Sequence, residues 1–209
     1  VEHIPFGMVS LEDGAMSTRT GNVVLLEDVL NKAAEKALAI IKEKNPDLED
    51  KEEIAEQVGV GAVVFSALYN NRIKDIVFSY DKVLSFEGET APYVQYTNAR
   101  CGSVLEKAGE IELGGELDYE GLNNPEAEYL VKLLEKFPET LVEAAEKKEP
   151  CNISRLLVNI CQAFNKFYYE HRILNEEKHR AVRLMLVKAV KIVLEEGLRI
   201  LGIGAPRKM

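Results

Sequence analysis

Between Asn152 and Leu174 the apolar residues Ile153, Leu156, Leu157, Ile160, Cys161, Phe164 and Phe167 or Tyr168 recur every three or four positions. That spacing places them on one stripe of an α-helix. A second helical stretch runs over Glu176–Leu201, with Asn175 as its expected cap and Gly202 as its stop. A helix apolar along one stripe must bury that stripe against another element, so two such helices in succession commit this part of the chain to a bundle. Further helix starts stand at Thr90-Ala91-Pro92 and Asn124-Pro125-Glu126, with proline in the first turn, where its missing N–H costs nothing. The first of these helices is expected to reach Ala108. The second covers Ala127–Lys136, is interrupted at Pro138, and resumes over Glu139–Lys148. From Ala91 onward the chain reads as all-α, broken only by an acidic linker from Gly109 to Gly121.

The front of the chain is patterned differently. Ile4–Leu11 reads as a strand entering a turn at Glu12-Asp13-Gly14, and Ile76, Phe78 and Tyr80 alternate as in a second short strand. Between them, one helix is expected from Glu27-Asp28 to Lys44, where Asn45-Pro46 stops it. Another is expected from the charged run at Glu49–Glu53 to Tyr69. Gly59 and Gly61 within it mark a break or a close backbone approach. They are no dinucleotide fingerprint, because a third glycine at the required spacing and a βαβ context are missing. The fold class is therefore mainly α: an α/β fragment with one strand pair at most, followed by a helical bundle.

Composition narrows the function. Hydrophobic content of 46% and charged content of 29% over 209 residues are those of a globular protein. No apolar run approaches the roughly 18 residues that span a bilayer. Val1-Glu2-His3-Ile4-Pro5-Phe6 lacks the basic end and apolar stretch of a signal peptide, and it opens on a strand without an initiator Met, so part of the protein is expected to precede it. Three cysteines without metal spacing read as reduced core thiols of a cytoplasmic protein. The net charge of −9 hides an asymmetry: Lys147–Met209 carries 13 basic and 6 acidic residues, leaving about −16 on the rest. Such a basic third either steers a polyanion to one face or is a set of solvated helix faces.

Two groups of residues carry candidate chemistry. Gly14-Ala15-Met16-Ser17-Thr18-Arg19-Thr20-Gly21-Asn22 is a polar loop, either a plain Gly/Ser/Thr turn or one whose hydroxyls, N–H groups and one guanidinium donate to a polyphosphate. Tyr93, Tyr96 and Arg100 stand at i, i+3 and i+7 on one helix face, as half-buried core or as a platform for stacking bases.

The loop Ala15-Met16-Ser17-Thr18-Arg19 resembles the KMSKS signature of class I aminoacyl-tRNA synthetases. The segment Leu84–Arg100, the block Ala163-Phe164-Asn165-Lys166-Phe167-Tyr168 and the ending Leu201–Met209 are similar to the arginyl-tRNA synthetase family. The resemblance implies three parts: the end of a Rossmann-like catalytic domain over 1–48, a connector touching the tRNA stem over 49–88, and an anticodon-binding α-helical bundle over 89–209. It implies ATP with Mg2+ as cosubstrate, and L-arginine and the tRNA specific for arginine as partners of a cytoplasmic monomer that does not enter membranes. Ser17, Thr18 and Arg19 would act in catalysis. Gly7, Met8, Val9, Ala15, Met16 and Thr20 would line the nucleotide, with Gly7–Val9 using their backbone beside adenine. Tyr93, Tyr96, Arg100, Lys166, Phe167, His171, Arg172, Arg207 and Met209 would hold RNA, with Lys208 as a further phosphate contact. The chain departs from the pattern at Ala15, where the family has its first lysine, and at Thr18. It lacks the His-x-Gly-His motif, for which His3-Ile4-Pro5-Phe6 is no substitute, so this chain alone is expected neither to activate nor to transfer arginine. The alternative is a non-catalytic helical module that binds RNA or protein.

Overall fold

The computed structural model describes residues 2–11, 24–109 and 118–209. Strand β1, Val9–Leu11, pairs in parallel with β2, Ile76–Phe78, with Val9 opposite Ile76 and Leu11 opposite Phe78. Parallel strands need a crossover, and here it contains two helices, α1 (Leu26–Lys44) and α2 (Lys51–Tyr69). After the short α3 (Tyr80–Val83) come α4 (Ala91–Ala108), a 3-10 turn at Tyr119–Leu122, α5 (Pro125–Glu135), α6 (Phe137–Lys147), α7 (Cys151–Glu170) and α8 (Glu177–Ile200).

The local signals set several helix ends. The Thr90 hydroxyl accepts from the Tyr93 N–H at 3.2 Å, and the Asn124 side chain accepts from the Ala127 N–H at 2.9 Å. At Pro138 the chain restarts a helix instead of continuing one. Of the two expectations for Gly59, the structure shows the close backbone approach: α2 is continuous, and a Cβ at Gly59 would lie 2.4 Å from the Ala34 nitrogen of α1.

The strand expected over Ile4–Leu11 pairs only at its last three residues. Gly7 and Met8 are tied instead by the Gly7 N–H to the Arg72 carbonyl (2.7 Å) and the Met8 N–H to the Asp75 carboxylate (2.7 Å). α7 stops at Glu170, short of the expected Leu174, because the chain turns to bury Ile173 while the Arg183 guanidinium holds the Arg172 carbonyl at 2.9 Å. Asn175 does not cap α8; Glu176 occupies that position and turns its carboxylate to Arg183 and His179, both at 2.6 Å.

α2 joins two cores. Its Phe65 enters the large one, where α4–α8 bury Val94, Leu130, Leu157, Phe164 and Leu194. Its Ala55, Val58 and Ala62 enter a smaller one with Ala37 and Ile41 of α1, Leu48 and Leu84. The three cysteines are free and buried, and burial pushes the Cys101 thiol up to about 12. No described helix is long and apolar enough to cross a membrane.

Candidate nucleic-acid interface

On its outer face α4 presents Tyr93, Tyr96 and Arg100 to a cavity of about 690 Å³. Thr90 starts the helix, and Val94, Ala91 and Cys101 bury its opposite side, so the tyrosine face is turned outward. The side chain of Asn165, from α7, organises the wall. Its amide nitrogen donates to the Tyr93 hydroxyl at 3.0 Å and to the Thr97 hydroxyl at 3.3 Å. Its carbonyl oxygen accepts from the Arg100 guanidinium at 2.6 Å. That network determines which way the amide points. Having accepted from Asn165, the Tyr93 hydroxyl keeps its own proton available to donate; burial, first among its causes, pushes its pKa up.

The Arg100 guanidinium lies 4.9 Å from the Tyr96 ring centre and 5.5 Å from that of Tyr168. Both rings are partly open to solvent, at 39% and 41%. No described carboxylate pairs with Arg100. A half-buried cation without an acid is costly unless something else stabilises it. Here two π faces do so in part, and further N–H groups remain to meet an incoming acceptor.

The chain's end completes the cavity. Buried Gln95 donates to the Gly204 carbonyl at 2.7 Å and the Gln57 carbonyl at 3.3 Å, pinning the tail across α2. Met209 thereby lines the cavity, while Arg207 and Lys208 stand exposed beside it.

The remaining expected RNA contacts gather elsewhere. Lys166 and His171 both approach Glu126 of α5, at 3.1 and 3.5 Å, and hydrogen bonds, that from Lys166 foremost, hold the Glu126 carboxyl below its ordinary range. Arg172 is exposed, and none of the three lines the cavity. Phe167 is a correction: it is fully buried, 5.0 Å beneath the His171 ring, and offers no face to a base. It lies on the core stripe with Ile160 and Phe164, so the neighbouring Tyr168 takes the outward position. Sequence reasoning left Phe167 and Tyr168 as alternatives for that stripe, and a rotation of about 100° per residue separates them. It missed Asn165 as an organiser, and Ile40, Ile41, Lys44, Asn45 and Phe86 as parts of the wall.

Of the nucleotide-binding set, Ala15, Met16, Ser17, Thr18, Arg19 and Thr20 lie outside the described residues. The N–H groups of Gly7 and Met8 are already engaged, and the Met8 carbonyl accepts from Ile76 at 2.9 Å. The side chains of Met8 and Val9 are exposed to solvent. Among the described residues there is no group of three or more His, Cys, Asp and Glu side chains placed to hold a metal ion.

Residues 94–209 match the DALR anticodon binding domain, and residues 1–80 match the catalytic domain of the class I (R) tRNA synthetases. An arginine–tRNA ligase of Halothermothrix orenii is 55% identical over 208 residues, 99% of this chain and 37% of that protein. One from Alkaliphilus metalliredigens is 51% identical over 210 residues, covering 100% and 37%. Among solved structures, the Thermus thermophilus arginyl-tRNA synthetase superposes with a TM-score of 0.88 at 39% identity, over 98% of this chain and 35% of that one. The Plasmodium falciparum structure shares the fold, with a TM-score of 0.82 at 22% identity over 99% of this chain and 35% of that one. The chain spans about 37% of the length of the curated relatives it matches. Tyr96, Arg100, Asn165 and Met209 fall inside the 94–209 match, and the chain belongs to the DALR anticodon binding domain family, corresponding to the C-terminal portion of arginyl-tRNA synthetases.

Proposed function

We propose that this chain grips the anticodon loop of the tRNA specific for arginine, as part of a cytoplasmic, monomeric ligase that joins L-arginine to that tRNA through arginyl-adenylate. The observation that supports this is Arg100, held between Tyr96 and Tyr168 with no ion pair to a carboxylate among the described residues. Single-stranded bases are recognised by stacking on aromatic and guanidinium planes and by hydrogen bonds to their edges. Tyr96, Tyr168 and Arg100 supply the planes, and the Tyr93 hydroxyl and the free Arg100 N–H groups supply donors. Arg207 and Lys208 add phosphate contacts that are blind to sequence and sensitive to salt.

Each stacking contact is worth about 1–3 kcal/mol, so Tyr96→Ala should weaken tRNA binding on the order of ten-fold, and Arg100→Ala by at least as much. Fluorescence titration at moderate salt measures both. Affinity unchanged in both variants would remove the assignment and favour a helical module for another partner.

In the whole enzyme, Ser17, Thr18 and Arg19 would donate to the ATP phosphates as pyrophosphate departs, with Ala15, Met16 and Thr20 completing the loop. Gly7–Val9 would lie beside adenine. The charge role that falls to lysine elsewhere in the family is carried here by Arg19 alone. Ala15→Lys in the full-length enzyme should therefore raise the rate of ATP–pyrophosphate exchange; an unchanged rate would take position 15 out of that role.

A further inference from the structure

One wall of the Tyr96 cavity comes from outside the bundle. Ile40, Ile41, Lys44 and Asn45 belong to the last turn and cap of α1, some fifty residues before Tyr93 and outside the 94–209 match. The helix ends there for local reasons. Pro46 forbids continuation, the Asn45 N–H donates to the Ile41 carbonyl at 2.8 Å, and the Leu48 N–H returns to the Asn45 carbonyl at 3.2 Å. The Asn45 backbone is thus fixed while its side-chain amide, half-buried at the cavity, has no hydrogen-bond partner among the described residues. Lys44 likewise forms no described ion pair, although acidic residues flank it in sequence. Its ammonium lies 5.2 Å from the Phe86 ring centre, and Phe86 meets Tyr96 edge-on at 6.3 Å. Lys44, Phe86, Tyr96, Arg100 and Tyr168 therefore form one run in which cations and rings follow each other across the cavity.

We propose that Lys44 and Asn45 are RNA-contacting residues: Asn45 hydrogen-bonds the edge of a base standing in the cavity, and Lys44 takes a backbone phosphate next to it. This rests on the reading of the cavity as the anticodon-loop site. An amide carries a donor and an acceptor side by side, which suits the edge of a base better than a phosphate. An ammonium is a point charge suited to phosphate. Ile40, Ile41 and the Met209 side chain give the base an apolar floor, and Glu87 is the one acidic side chain in the described lining, against Lys44 and Arg100.

The test is salt-dependent binding of the tRNA to the full chain, with Lys44→Ala, Asn45→Ala and Asn45→Gly compared with Tyr96→Ala. Glycine at position 45 removes the amide while tolerating the helix-end conformation, so a loss shared by both Asn45 variants reports the side chain. Lys44→Ala should reduce the slope of log K against log salt by about one. The Asn45 variants should bind about ten-fold more weakly with the slope unchanged. If Tyr96→Ala weakens binding while Lys44→Ala keeps the full slope, Lys44 is no phosphate contact. If the Asn45 variants then bind like the parent, Asn45 reads no base. Either result leaves the anticodon reading standing. If Tyr96→Ala also binds normally, the anticodon reading itself fails.

Discussion

Replacing Gly59 with alanine should lower the stability of the chain by about 2–3 kcal/mol, against the intuition that alanine favours a helix. Propensity alone would stabilise by up to about 1 kcal/mol. The added methyl, however, would sit 2.4 Å from the Ala34 nitrogen, 2.5 Å from its Cα and 2.6 Å from the Ala33 carbonyl carbon. These are backbone atoms of α1 and cannot swing aside as a side chain would. Overpacking of this kind typically costs about 1–3 kcal/mol, and more where backbones must part. Denaturant unfolding measures the loss, and a neutral or stabilised variant would show that the two helices have room to spare. Because α1 carries Lys44 and Asn45, the same substitution should also weaken tRNA binding at a distance from the cavity.

The second large effect is expected at Arg183. Its side chain is 8% exposed, donates to the carbonyls of Arg172 (2.9 Å) and Gly121 (3.3 Å), and pairs with Glu176 at 2.6 Å. Arg183→Met keeps the apolar stem and removes every one of these bonds. The Arg172 carbonyl then loses its described donor and the Gly121 carbonyl keeps only the Asn124 amide at 3.4 Å; a buried acceptor left unsatisfied costs about 1–3 kcal/mol, so a loss of about 2–3 kcal/mol is expected at pH 7. The variant should also change the acid response. Arg183 first, and His179 next, hold the Glu176 carboxyl below its ordinary 4.5. A carboxyl depressed on folding contributes stability that is fully present above its unfolded value and lost as pH falls through the folded one. The parent should therefore lose stability below about pH 4.5 more steeply than Arg183→Met. Equal unfolding midpoints at pH 7 would sink this account.

What could be read in advance divides by the range of the interaction. The starts of α4 and α5 were legible because Thr90 and Asn124 act on N–H groups three residues away. The end of α7 and the start of α8 were not, because Arg183 reaches back to the Arg172 carbonyl and pairs with Glu176, which stands in the capping position expected of Asn175. Tyr93, Tyr96 and Arg100 were found on one face because a single helix carries them. Asn165, which joins Tyr93 to Arg100, is 72 residues from the first of these, and no local pattern links it to that face. The same holds for Lys44 and Asn45. Phe167 was misplaced by one position on a stripe that accepted either aromatic.

The contact at Gly59 has a mechanical side. α1 has 19 residues and is about 28 Å long, and it is braced against α2 at Ala33–Ala34, near its midpoint. One end, Lys44, borders the cavity; the other, Leu26, follows Asn22 by four positions in the sequence. Ala37 and Ile41 of α1 pack on Ala55, Val58 and Ala62 of α2 as well, so the two helices shift as one body and a push at Leu26 is carried along the rod to Lys44.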